Sequence, residues 1–308
     1  MASRRDVLLG LFATSISACG PARESERRAS SEPVEPEPEA KPEPEAKPES
    51  SADPIERRVA ELEANYGDRG WVALAEPPFV VVGDGGRQRV ESHARGTVRW
   101  AVEKLEAAYF ELPPSELITI WLFETSESYE RHALELFADV PDTPYGYYSG
   151  THRALVMNIG TGGGTLVHEI VHPYMAANFP ACPSWFNEGL ASLYEQSAER
   201  EGEIVGLTNW RLAGLQAALT SKSVPSFREL CETGEGFYTE DRGSNYAQAR
   251  YLCYWLQEHD LLRRYYQGFR SHAHEDPSGY ATLTALVGPD MDDFRARWET
   301  FVMGLHFA

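Results

Sequence analysis

The sequence predicts an α+β fold in which a small mixed sheet comes first and a helical lobe follows. Three observations carry this. The apolar, β-branched runs "PFVVVGDGG" and "LITIWLF" fall before residue 162. Two short extended runs, "YGYYSG" and "RALVMNIG", flank the turn "SGTH" and read as a hairpin. From Gly164 onward, segment after segment has apolar residues at helical spacing with few strand signals between. Strands first and helices after is the α+β pattern, and the cleft between two such parts is the expected place for a site.

The first 53 residues stand outside this pattern. "MASRRDVLLGLFATSISACG" has a basic pair, an apolar run from Val7 and small residues before Cys19, the order of a secretion signal over residues 1–19. Its paired arginines are those of Tat signals. "ISAC" resembles the bacterial lipobox, so Cys19 is expected to be lipidated. That places the protein outside the cytoplasm on the cell envelope, at the periplasmic side or the cell surface. Residues 20–53 alternate Pro, Glu, Ala and Lys with no aromatic residue. Such a segment cannot offset the entropy of ordering its backbone and reads as a disordered, extended tether.

Residues 54–308 form the expected folded domain, with 54–161 the α+β part and 162–308 the mainly helical part. "PIERRVAELEANYG" is a helix stopped by Gly67, and "VESHARGTVRWAVEKLEAAYFEL" is a long amphipathic helix. "TSESYERHALELF" is a helix capped by Thr125 or Ser126. Helices are then predicted in "TLVHEIVHPYMAANF", "SWFNEGLASLYEQSAER", "LTNWRLAGLQAALTS", "NYAQARYLCYWLQEHD", "LLRRYYQGFRSHA" and "DDFRARWETFVMGL". The formal net charge of −19 argues against nucleic acid and anionic lipid surfaces as partners. Membrane contact is expected only through the lipid anchor. After Cys19 come Cys182, Cys231 and Cys253, which allow at most one internal disulfide, Cys182 with either of the others.

The chemistry concentrates in "GGGTLVHEIVHPYMAANFP". On a helix, His168 and His172 project from one face a turn apart, so two imidazoles can reach one Zn²⁺. Glu169 lies about 100° further round and borders the open side, where a general base for water must stand. In "PSWFNEGLASLYE", Glu188 sits among Trp185, Phe186, Leu190 and Ala191. A carboxylate buried there is costly unless paired, and a metal is a suitable partner. Three protein ligands and an open position make a catalytic zinc site. Pro173, directly after the second histidine, lacks an N–H and crowds the preceding turn, so a kink or early helix end is expected there. His272 and His274 read as solvated.

"HEIVH" followed by "WFNEGLA" resembles the gluzincin metallopeptidases, a zincin branch in which two helices supply His, His and Glu. "NEG" followed by a small residue is similar to aminopeptidase-N-type catalytic domains and to small secreted peptidases of the same clan. The resemblance spans about residues 78–260 and is specific only in the two motifs. It implies a zincin-like fold with a cleft between sheet and helical lobe. It also implies zinc ligation by His168, His172 and Glu188, Glu169 as base, and a peptide or protein substrate. "RALVMN", Arg153 to Asn158, is then the edge strand above the metal. By the same likeness Tyr246, at the start of a later helix, is expected to stabilise the oxyanion; Tyr145, Tyr147, Tyr148 and His152 are rivals for lining the cleft. The Gly-x-Met-Glu-Asn signature of aminopeptidases is missing, since Met157 and Asn158 are adjacent, so that specificity is not carried over. Two other functions fit the sequence: a catalytically inactive binding or assembly lipoprotein of this fold, and a zinc hydrolase acting on a non-peptide amide.

Overall fold

The computed structural model describes residues 53–240 and 242–307. The expected signal, Cys19 and nearly all of the expected tether therefore lie outside the described residues. Helix α1 (Pro54–Tyr66) is capped by Asp53, whose side chain accepts from the Ile55 N–H, and it ends at Gly67 as the sequence predicts. Strands β1 (Val72–Glu76) and β2 (Phe79–Gly83) follow. Next, α2 (Arg87–His93) and α3 (Trp100–Ala108) form one helical path joined through a π-helical segment, Ala94–Arg99. β3 (Ile118–Phe123), α4 (Ser126–Phe137), β4 (Gly146–Ser149) and β5 (Ala154–Asn158) complete the first part. Thr125 caps α4 by accepting from the Ser128 N–H.

The five strands form one sheet in the order β1-β2-β3-β5-β4. β2, β3 and β5 are parallel, and the outer strands β1 and β4 are antiparallel to their neighbours. Every residue of β2, β3 and β5 is buried, because both sheet faces are covered. Ile120, Leu122, Leu155 and Met157 face the large core shared with the helical lobe. Trp121, Phe123 and Val156 face a smaller core with α1 and α4. One expectation is corrected: residues 153–158 do not form the edge. β5 lies between β3 and β4, and the edge beside it is β4. A hairpin must put one of its strands inside, and the fully apolar "ALVM" is the one fit for burial on both faces.

The second part opens with α5 (Gly164–Asn178) and α6 (Ser184–Leu193). Pro173 stands inside α5 and neither ends it nor shortens it. Beyond the proline, Tyr174 and Met175 are buried in the main core, and the Tyr174 hydroxyl donates to Glu106 at 2.6 Å. Asn178 binds the Tyr174 carbonyl and receives the N–H groups of Glu111 and Leu112. Burial of that face outweighs the proline's cost of about 3 kcal/mol. α6 ends at Leu193, short of the helix predicted through Arg200; residues 197–206 instead form a hairpin, β6 (Ser197–Arg200) and β7 (Glu203–Gly206). The positive φ of Glu201 and Gly202 makes its turn.

The remaining helices are α7 (Arg211–Thr220), α8 (Phe227–Cys231), α9 (Gly236–Thr239), α10 (Arg242–Glu258), α11 (Leu262–His272), α12 (Tyr280–Val287) and α13 (Met291–Gly304). α8, α9 and α12 were not legible, being too short for a periodic pattern. β1 was also missed, its alternation being too brief. Cys182, Cys231 and Cys253 are free thiols, so the one disulfide the sequence allowed is not formed. His272 is exposed, as is His274. Among the described residues, no helix is long and apolar enough to cross a membrane.

Candidate metal centre

α5 and α6 meet so that one ligand atom each from His168, His172 and Glu188 lies within 4.8 Å of the others. The i, i+4 spacing in α5 stacks the two imidazoles edge to face, with centroids 4.9 Å apart. Glu188 arrives from the first half of α6, anchored by Trp185 and Phe186, both buried. Gly189, beside it, lets α10 come close: a Cβ there would stand 3.1 Å from the Ala249 carbonyl and 3.1 Å from Cys253 Sγ.

The donor set fits zinc. Glu188 is 7% exposed, and its Oε2 is buried without a hydrogen-bond donor. Facing that oxygen are His168 Nε2 at 3.3 Å and His172 Nε2 at 3.9 Å. On the far side of each ring stands an acceptor. Asn187 Oδ1 is 3.0 Å from His172 Nδ1, and Glu195 Oε1 is 3.4 Å from His168 Nδ1. A proton on each Nδ1 leaves the Nε2 lone pairs turned toward the Glu188 carboxylate. Two nitrogens and one oxygen with lone pairs converging in a buried place suit a divalent cation such as zinc.

Without a cation, burial would drive the His168 imidazolium to lose its proton. The carboxylates of Glu188 and Glu195 outweigh that and lift its pKa to about 10. Burial also raises Glu188, yet His168, His172 and Tyr238 hold it down at about 2. For Glu195, Arg211 and His168 overcome burial and again bring it to about 2. The centre is thus built to carry negative charge facing a positive one.

Glu195 and Tyr238 belong to the centre and escaped sequence reading. Arg211 clamps Glu195 from Nη2 and Nε at 2.6 and 2.9 Å, and Asn209 donates to it at 3.0 Å. Its place depends on Gly164, where any Cβ would collide with the Glu195 carbonyl. The signal was present in "NEGLASLYE", an acid seven residues after Glu188, though a helix through Arg200 hid the turn that aims it. The Tyr238 hydroxyl donates to Glu188 Oε1 at 3.2 Å from the short α9. Glu169 is half-buried on the same turn as His168.

The ring of Tyr246 lies 4.9 Å from that of Phe237 and 5.2 Å from the Arg211 guanidinium. Of the rivals, Tyr145 and Tyr148 are exposed. Tyr147 packs with Tyr129, and His152 packs on Phe137, both on the sheet face away from α5. No family model matches the chain, and neither does any curated protein.

Proposed function

We propose that the chain is a zinc-dependent metallopeptidase of gluzincin type with a zincin-like fold, exported and anchored to the cell envelope through Cys19. The observation that carries this is the buried Glu188 Oε2, which receives no hydrogen bond and faces both histidine Nε2 atoms. Zinc held there by His168, His172 and Glu188 would supply Lewis acidity to a water and a carbonyl oxygen. Glu169 takes the proton from the attacking water and delivers it to the amine nitrogen as the C–N bond breaks. Asn187 holds the His172 ring by a hydrogen bond at Nδ1, and the Glu195 carboxylate stands 3.4 Å from His168 Nδ1 as its charge partner. Tyr246 is the proposed donor to the developing oxyanion. The peptide adds as a strand along β4, Gly146–Ser149, whose outer backbone groups face no other strand among the described residues.

Purified Glu169→Gln protein should keep one zinc per chain and lose at least about 100-fold in cleavage of an unfolded protein substrate. Equal cleavage by parent and variant overturns the mechanism. Release of amides from cell-wall fragments, with no cleavage of protein, would favour the non-peptide hydrolase. Zinc binding with neither activity would leave a binding lipoprotein.

A further inference from the structure

A cavity of about 510 Å³ opens at the N-terminal end of α5, the helix that carries His168 and His172. It is lined by the glycine run 162–164 and Val167 of α5, by Gly96, Thr97 and Trp100 of the α2–α3 path, and by Glu195 and Trp210. Tyr145, just before edge strand β4, also lines it. Gly164 and Thr165 precede His168 and Glu169 by one helical turn on the same faces of α5, so the cavity lies one turn from those side chains.

Backbone irregularities gather here. The π-helical segment Ala94–Arg99 contributes Gly96 and Thr97, and such segments within helices occur often at functional sites. Gly162 has φ +106°, and a Cβ on Gly163 would stand 3.2 Å from the Thr97 side chain. Gly96 is different: a Cβ there meets nothing within 4 Å, and its backbone needs no positive φ. Glycine weakens a helix interior, and no steric demand keeps it at this position. What its missing side chain does is leave the cavity open.

The lining chemistry selects an occupant. Trp210 and Tyr145 are 48% and 46% exposed, large rings that belong to no core. Trp100 is held by its Nε1 donating to Glu199 at 3.3 Å. Among the described lining residues Glu195 alone is charged, and its carboxylate is already taken by Arg211 and Asn209. A lysine or arginine would find no free counter-charge, and an acid would meet Glu195. Hydroxyls of Thr97, Thr165 and Ser197 remain to meet a polar tip. Rings with scattered hydroxyls suit a flat, uncharged group.

We propose that this cavity is a side-chain subsite that takes an aromatic residue, phenylalanine or tyrosine, beside the scissile bond of a peptide substrate. The proposal rests on the peptidase reading, and its test separates the two. The first arm measures kcat/KM on peptides differing only at one residue next to the cleaved bond: Phe, Tyr, Ala, Lys or Glu. The parent should favour Phe and Tyr over Ala by about tenfold or more, and over Lys and Glu by more still. In Gly96→Trp that preference should collapse, with zinc content and Tm held as the parent's. No aromatic preference in the parent, or an undiminished one in the variant, overturns the subsite.

The second arm needs no cleavage. Glu169→Gln protein is titrated with N-acetyl-tyrosinamide, N-acetyl-lysinamide and an N-acetylglucosamine oligomer, read by tryptophan fluorescence. Saturable binding of the tyrosine probe alone, abolished by Gly96→Trp, supports the subsite even if no peptide is cleaved; the peptidase reading would then fall by itself. Binding of the sugar in place of the tyrosine probe, or of none, overturns it.

Discussion

The two helices that supply His168, His172 and Glu188 depart from their sequence patterns in opposite directions. α5 runs longer than its proline allows, to Asn178, while α6 stops at Leu193, well short of its helical pattern. In α5 the residues after Pro173 are clamped by the core and by the Asn178 hydrogen bonds. In α6 the chain leaves the helix at Tyr194, which is buried and hydrogen-bonded to Tyr109 at 2.8 Å, and the next residue turns its carboxylate to His168. Local propensity set where each helix could begin; burial decided where each ended. Both outcomes serve the site, since the first holds the histidine pair in register and the second places Glu195.

The largest effect is expected from the ligand of the shorter helix. Glu188→Ala should lose stoichiometric zinc by elemental analysis and all measurable hydrolysis; a variant that keeps its zinc would falsify the three-ligand centre. Stripping the parent with a chelator should lower its Tm, and zinc should restore it, because an ion bound only by the folded state stabilises that state. An unchanged melting curve would mean that no ion is held.

A step smaller is the bend after α6. Glu195→Gln should weaken zinc affinity about 10- to 100-fold while the fold persists, as for other groups that orient a metal-bound histidine. Gly164→Val strikes the same contact from α5 and should cost about 1–3 kcal/mol of stability by overpacking. If it melts like the parent, the close approach of α5 to Glu195 is not tight.

The smallest effect is expected at the proline. Pro173→Ala restores an N–H to the Glu169 carbonyl, a gain partly offset by the freer unfolded chain. Tm should rise by a few degrees with activity within about twofold. A tenfold loss of activity would show that the proline shapes the site after all.

Much of the centre was legible because its spacing is local. His168 and His172 need only one helical turn, and Glu188 announced itself as an acid among buried aromatics. Tyr238 was not legible because α9 has just four residues, and its contact to Glu188 spans fifty positions of chain. Tyr246→Phe should lower kcat at constant zinc content; a loss confined to Tyr238→Phe would move the oxyanion role to Tyr238.

The sequence by itself determined the α+β class, the central strands, the hairpin, most of the longer helices and the convergence of His168, His172 and Glu188. Periodicity and side-chain chemistry act over a few residues, and those features need no more. The tertiary structure alone decided that β4 and not β5 is the edge, that α5 survives Pro173, that the cysteines stay free thiols and that Glu195 turns toward His168. Each of these depends on which surfaces are buried against one another, and burial is a property of the packed molecule.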